Sequence, residues 1–202
     1  MPVLAPTTVP PLASPPAAAL PAPPLPVPVR LAAPAEILAE LYRQRNGSRR
    51  VVATVRQAQL KIGVDPLQID VTAARSGYLY IALAGSDGRS LYLLYPNDLA
   101  SDNRVRAGQR VALPGQGWEV VAAGPAGTET LLVMVTDAPR ELGALGREKA
   151  GPFMKTLLDA DGRARLQWIM SNGTPASGCG KAGAASCSDT FGAVLLKVQA
   201  VP

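Results

Sequence analysis

The stretch "SGYLYIALAGSDGRSLYLLYPND", residues 76–98, contains two apolar runs separated by a Ser-Asp-Gly turn and closed by Pro-Asn-Asp. Short runs of this composition bounded by turn residues are typical of β-strands, and they predict a hairpin with strands at 78–84 and 91–95. Side chains alternate across a strand, so Leu79, Ile81 and Leu83 are expected on one face and Tyr78, Tyr80, Ala82 and Ala84 on the other. In the second strand, Leu91, Leu93 and Tyr95 are expected to share a face. Both faces of the hairpin are apolar, which predicts a position at the centre of a sheet that is covered on both sides.

The rest of the chain repeats this strand pattern around the hairpin. Apolar residues alternate with polar ones over 58–64 and 67–73, and further strands are predicted at 110–113, 118–123, 130–136, 165–170 and 193–201. Seven to nine short strands separated by Gly, Pro and Asx turns predict an all-β domain, an antiparallel β-sandwich or an open barrel. Helical spacing predicts one helix over 35–46 and one or two short helices within 139–160.

Residues 1–34 differ in composition from everything that follows. They hold twelve of the twenty prolines in the chain, which predicts an extended or disordered segment because proline lacks the backbone donor that helices and sheets use. We interpret this segment as a tether; a misplaced start or a plain disordered tail is the alternative. Residues 35–202 are then one domain, with a β core at 50–137, the short helices at 139–160, and a cysteine-containing loop and last strand within 165–202.

The chain contains no histidine. This absence excludes Ser-His-Asp and Cys-His catalysis and histidine-based zinc sites. The sequence carries no Walker loop and no Gly-x-Ser-x-Gly motif. We therefore expect neither a catalytic residue nor a cofactor nor a bound metal. The alternative is a hydrolase or lyase that works through acids such as Asp87, Asp98 and Asp102.

Six short segments, taken in order, are similar to an uncharacterised bacterial domain of unknown function. They are Gly77-Tyr78-Leu79-Tyr80, Asp87-Gly88, Leu93-Leu94-Tyr95-Pro96-Asn97, Ala107-Gly108, Leu113-Pro114 and Gly124-Pro125-Ala126-Gly127. The similarity covers about Leu60 to Leu142. Such domains are commonly joined to serine/threonine protein kinase domains and sometimes to caspase-like peptidases. The resemblance therefore implies a non-enzymatic accessory or sensor module outside the inner membrane, tethered to a larger protein and binding another envelope protein or a cell-wall component.

Cys179 and Cys187 lie in the Gly- and Ala-rich stretch "SGCGKAGAASCSD". Their spacing suits a small disulfide loop and does not fit a Cys-x-x-Cys redox pair. A disulfide would place the domain in the periplasm or elsewhere outside the cytoplasm. Two reduced thiols in a cytoplasmic protein are the alternative.

Two groups of residues are candidates for binding. The first is a surface rich in aromatic and Asx side chains, consisting of Tyr78, Tyr80, Tyr92, Tyr95, Asn97, Asp98 and Trp118. The second is a basic patch near the start of the domain, consisting of Arg43, Arg45, Arg49, Arg50 and Arg56. Such a patch suits nucleic acid or anionic lipid, and a solvated helix face with a basic end is the other interpretation.

Overall fold

The computed structural model describes residues 33–140, 148–157 and 190–202. Within these residues, one helix precedes eleven strands: α1 (Pro34–Arg43), β1 (Val51–Val55), β2 (Gln59–Lys61), β3 (Ile69–Ala73), β4 (Gly77–Ala84), β5 (Ser90–Tyr95), β6 (Arg104–Val105), β7 (Arg110–Leu113), β8 (Gly127–Thr136), β9 (Glu148–Ala150), β10 (Phe153–Leu157) and β11 (Phe191–Val201). The strands form two sheets and no closed barrel. The predicted all-β class, a sandwich accompanied by an N-terminal helix, is confirmed.

The larger sheet has eight strands in the order β2-β11-β8-β4-β5-β10-β9, with β6 paired to β4. Its longest pairing joins β8 and β11 in antiparallel fashion, from Phe191 opposite Thr136 to Ala200 opposite Gly127. The predicted hairpin forms β4 and β5, and β4 lies between β8 and β5. Its predicted central position is confirmed.

The smaller sheet has three strands in the order β1-β3-β7 and covers one face of the larger sheet. The space between the sheets is filled by buried aliphatic side chains, among them Leu79, Ile81, Leu131, Val133 and Val71. Burial of this apolar surface is the main favourable term for a fold of this kind.

The helix α1 covers the opposite face of the larger sheet. Proline at the first helical turn suits a helix start, and the Glu36 carboxylate accepts a hydrogen bond of 2.9 Å from the Ala33 N–H. Buried Ile37, Leu38 and Leu41 pack in one cluster with the outward-facing side chains of the sheet, Ala84, Leu91, Leu132 and Ala193. The two apolar faces predicted for the hairpin are therefore covered by different layers, the small sheet on one side and α1 on the other.

The expectation of helices within 139–160 is wrong for the part of that segment that the structure describes. Residues 148–157 form the hairpin β9–β10, which turns at Gly151, where φ is +61°. Strand β10 pairs with β5, from Met154 opposite Leu93 to Leu157 opposite Ser90. Without β10, one edge of β5 would present unpaired backbone N–H and C=O groups. Pairing with that edge favours a strand rather than a helix in β10.

The strand predicted at 118–123 is also wrong. This segment contributes only one isolated β-bridge, between Val121 and Pro66, and a backbone hydrogen bond of 2.8 Å from the Leu67 N–H to the Val120 carbonyl. Pro66 has no N–H, so the ladder cannot continue through it. The strand predicted at 58–64 is confirmed only in its middle, as β2.

Several predictions lie outside the described residues. These are most of the proline-rich tether, the strand at 165–170, and the pair Cys179 and Cys187. None of the described residues belongs to a helix with the length and hydropathy needed to cross a bilayer.

Candidate functional site

The four candidate tyrosines do not share a surface. Tyr80 is buried on the α1 side of the large sheet, where its hydroxyl accepts a hydrogen bond of 2.7 Å from the Arg140 N–H. Tyr78 lies on the same side, and the Arg104 guanidinium lies over its ring, 5.5 Å from the ring centre. Tyr92 and Tyr95 instead pack against the cluster between the two sheets.

A β-bulge explains the position of Tyr95. Tyr95 pairs with Ile81 and Leu93 with Ala82, so Leu94 has no partner of its own on β4. An extra residue reverses the alternation of the side chains beyond it. The expectation that Leu91, Leu93 and Tyr95 share a face is therefore wrong for Tyr95, which points between the sheets.

An aromatic cluster follows from this reversal. The Tyr95 and Trp118 rings are stacked, with centres 6.3 Å apart and planes inclined by 4°. Phe153 on β10 meets Trp118 edge-on, with ring centres 5.9 Å apart. Trp118 is half-buried and borders an apolar depression between the sheets, which we call the Trp118 depression; it is lined by Leu67, Ile69, Ile81, Leu94, Leu113, Pro114, Trp118 and Val120.

The Tyr95 hydroxyl is anchored at the rim of this cluster. It donates a hydrogen bond to the Asp102 carbonyl oxygen. Burial, reinforced by the negative charge of Asp102, raises the pKa of the Tyr95 phenol. The phenol is thus a neutral donor that holds the loop after β5 in place.

Asn97 and Asp98 have structural contacts in that loop. The buried Asn97 side chain donates to the Leu94 carbonyl at 2.8 Å and accepts hydrogen bonds of 2.9 Å from the N–H groups of Leu99 and Ala100. The Asp98 carboxylate pairs with Lys149 on β9. Asn97 therefore closes a turn, as Asx residues commonly do.

The arginines of the predicted basic patch have different environments. Arg43 pairs with Glu40 at 2.6 Å, Arg45 stacks over the Tyr42 ring at 3.7 Å, and Arg49 pairs with Asp137. Arg56 is exposed and close enough to lower the pKa of Asp70, after the larger effect of Arg110 on that carboxyl. Arg50 is exposed at the start of β1.

The six short segments that the sequence presents in order all lie at strand ends or turns of this fold. Asp87-Gly88 forms the β4–β5 turn, Leu93 to Asn97 contains the bulge and the Asn97 turn, and Ala107-Gly108 precedes β7.

Residues 59–139 match the family model DUF4384, a domain of unknown function. No curated protein and no solved structure matches the chain.

The DUF4384 segment runs from β2 to the residues just after β8. The helix α1 and the strands β1, β9, β10 and β11 lie outside it, although β11 pairs with all ten residues of β8. The aromatic cluster combines both parts, since Tyr95 and Trp118 lie inside the DUF4384 segment and Phe153 lies beyond it.

The carboxylates of the DUF4384 segment differ in their environments. Burial alone would raise the pKa of Asp87, but hydrogen bonds from the Ser90 hydroxyl and from the N–H groups of Arg89 and Ser90 lower it overall. Asp87 therefore stabilises the β4–β5 turn in its ionised form. Across the part of the chain that the structure describes, no three His, Cys, Asp or Glu residues come together as a metal site would require.

Glu129, which sequence reasoning missed, is the buried carboxylate of β8. It is 6% exposed and follows the alternation of Leu131 and Val133, whose side chains point between the sheets. Burial, and to a smaller extent the charge of Asp87, raises the pKa of Glu129. The sequence signal that could have identified Glu129 is an isolated glutamate within a strand that is otherwise free of charged residues.

We expect Glu129→Gln to stabilise the protein near neutral pH and to have little effect near pH 4. Because folding raises the pKa of Glu129, the ionised form is disfavoured in the folded state, and stability falls as the pH rises from the ordinary glutamate value through the raised one. Removing the charge should add about 1 kcal/mol to the free energy of unfolding at pH 8. Urea denaturation at both pH values measures this difference.

The control for Glu129→Gln is Glu119→Gln, which neutralises an exposed carboxylate of the same segment. It should leave the free energy of unfolding unchanged at either pH. Equal effects of the two substitutions would show that the burial of Glu129 has no influence on its titration.

Proposed function

We propose that this chain is a non-enzymatic binding module whose Trp118 depression receives an apolar side chain of a protein partner. The observation that carries the proposal is the half-buried Trp118, stacked on Tyr95 and braced by Phe153 beside a depression lined by aliphatic side chains and Pro114. Binding hot spots in protein interfaces are enriched in tryptophan and tyrosine held in well-packed pockets. A rigid aromatic anchor of this kind loses little conformational entropy when a partner binds.

The contacts of the acidic residues favour binding over carboxylate catalysis. Asp87 holds the β4–β5 turn, Asp98 pairs with Lys149, and the Asp102 carboxylate accepts a hydrogen bond from the Arg104 N–H. Asp87 thus supports the β4–β5 turn, whereas Asp98 and Asp102 make separate contacts from the loop after β5. General acid and base catalysis requires groups that converge on one substrate.

The wider role follows from the resemblance to kinase-linked domains. In this proposal the module is the extracytoplasmic, partner-binding part of a larger tethered protein. Its partner is another envelope protein or a cell-wall-associated protein.

The proposal is tested by panning a random-peptide phage library on the immobilised full chain. We expect enrichment of peptides with one aromatic or aliphatic anchor residue. Their Kd should rise about tenfold or more in Trp118→Ala, because truncating a hot-spot aromatic costs about 2 kcal/mol. Synthetic versions of the enriched peptides, measured by calorimetry, give the Kd values.

The control variant is Tyr78→Ala, which removes a half-buried aromatic ring from the other side of the same sheet. It should leave the Kd of the peptides unchanged. Peptides that bind Trp118→Ala as tightly as the unmodified chain, or a panning experiment without enrichment, would contradict the proposed function. Circular dichroism of each variant checks that the fold is retained.

A further inference from the structure

Strand β7 forms one edge of the small sheet, because it pairs with β3 on one side and with no described strand on the other. Which of its backbone groups face outward follows from the pairing of β3 with β1. The Ala74 N–H donates to the Arg50 carbonyl at 2.9 Å. At the other end, the Arg56 N–H donates to the Gln68 carbonyl, also at 2.9 Å. The even-numbered residues along β3 therefore direct their backbone groups to β1, and the odd-numbered ones direct theirs to β7.

The outward-facing backbone groups of β7 belong to Arg110 and Ala112. The odd-numbered residues of β3 lie opposite Val111 and Leu113, which therefore bond back to β3. Arg110 and Ala112 alternate with them and direct their N–H and C=O groups away from the sheet. Within the part of the chain that the structure describes, these four groups have no hydrogen-bond partner, and both residues are exposed. Unpaired edge groups of this kind are a template to which another strand can add.

The other sheet edges are less suited to the addition of a strand. The connections at both ends of β1 are bonded to β11, since the Asn46 N–H donates to the Phe191 carbonyl at 2.9 Å and the Gln199 N–H donates to the Ala58 carbonyl at 2.8 Å. The free edge of β1 thus runs along β11. The outer strands of the large sheet, β2 and β9, have three residues each and each contains a lysine. Short edge strands with charged side chains resist pairing with another chain.

A strand added to β7 would place alternate side chains beside the Trp118 depression. The side chains of Val111 and Leu113 pack in the core between the sheets, and Leu113 and Pro114 line the depression. Residues opposite each other on neighbouring strands point to the same face, with Cβ atoms about 4.5–5.5 Å apart. The residue of an added strand that lies opposite Leu113 would therefore point to the depression.

The charges at this edge do not call for a charged ligand. The Arg110 guanidinium is already paired with the Asp70 carboxylate at 2.7 Å. What the edge offers is main-chain donors and acceptors on one side of an apolar depression. In strand addition of this kind, the main-chain hydrogen bonds provide affinity and the contacts of alternate side chains provide specificity. The edge thus fits an extended peptide with an apolar residue at every second position.

We infer that the partner binds to β7 as an extended peptide segment that becomes the fourth strand of the small sheet. Its main chain pairs with the N–H and C=O groups of Arg110 and Ala112, and its apolar anchor side chain lies opposite Leu113 and reaches the Trp118 depression. This inference rests on the proposed function, since it specifies how the peptide that reaches Trp118 is held.

The test is Ala112→Pro in the full chain, with synthetic versions of the peptides enriched by panning as probes. Proline removes the outward N–H of residue 112, and proline is tolerated on an edge strand where that N–H faces solvent. The Kd of the peptides, measured by calorimetry, should rise about tenfold or more because the main-chain pairing loses a hydrogen bond. The control Ala112→Ser keeps the N–H and should leave the Kd unchanged. Circular dichroism checks that both variants retain the fold.

Methylation of the peptide backbone tests the same pairing without any change in the protein. Each main-chain nitrogen of an enriched peptide is N-methylated in turn, and the Kd of each product is measured. Only every second N–H of an added strand faces β7, so methylation should weaken binding about tenfold or more at alternate positions and have little effect at the positions between them. A peptide held by its side chains alone would show no such alternation, and that result would overturn the inference.

The results separate the added strand from the proposed function. An unchanged Kd in Ala112→Pro, together with weaker binding in Trp118→Ala, would overturn strand addition and leave the proposed function intact. Weaker binding in Ala112→Pro with an unchanged Kd in Trp118→Ala would support the added strand and contradict the proposed function. Panning without enrichment contradicts both. A dimer of the chain in sedimentation velocity that dissociates in Ala112→Pro would assign the edge to a second copy and so overturn the inference.

Discussion

Gly192→Ala is expected to lower the free energy of unfolding by about 2 kcal/mol or more. An ideal Cβ atom on Gly192 would lie 2.0 Å from the Arg49 carbonyl oxygen, far inside van der Waals contact. The strand cannot move away easily, because β11 is paired with β8 over ten consecutive positions and the Phe191 carbonyl accepts a hydrogen bond from the Asn46 N–H. Urea denaturation followed by circular dichroism measures the loss.

The control is Gly47→Ala in the connection between α1 and β1. A Cβ atom on Gly47 would meet nothing within 4 Å, so this substitution should leave the free energy of unfolding nearly unchanged. Equal stability of the two variants would show that the close approach of β11 to Arg49 is absent in solution.

The sequence identifies the central hairpin because the necessary information is local. The alternation in β4 and β5 and the Asp87-Gly88 turn lie within one short stretch, and Gly88 has φ of +67°, which favours glycine. Strand β11, Phe191–Val201, is likewise close to its prediction, since a run of apolar residues of this length is typical of a buried strand.

The hairpin β9–β10 was not predictable in the same way. Its residues become strands because β5 offers an edge to pair with, and that edge exists only after the sheet has assembled. Tertiary context of this kind commonly overrides local preference.

The candidate sites required the register of strands that are distant in sequence. One extra residue, Leu94, turned Tyr95 from the α1 side to the space between the sheets and so brought it to Trp118. The pairing of β1 with β3, continued by one hydrogen bond beyond Val51, likewise places Arg49 opposite Arg75. Alternation along a single strand contains neither piece of information.

The helix α1 lies outside the DUF4384 segment, and its contacts indicate that it belongs to the same folding unit. We expect Leu38→Ala to lower the free energy of unfolding by about 3 kcal/mol in a single transition, because Leu38 is 1% exposed and its loss would leave a cavity against Leu132 and its neighbours.

Urea denaturation measures this effect, with Leu99→Ala as the control for the same change at a side chain that is 62% exposed. The control should alter stability by less than about 0.5 kcal/mol. If Leu38→Ala changes the free energy of unfolding as little as the control does, or if α1 unfolds in a separate transition at lower urea concentration, the helix is not part of the cooperative folding unit. A large loss in one transition instead means that the outer face of β4, β5, β8 and β11 needs α1 as its cover, and that the stable unit is larger than the segment that the family model matches.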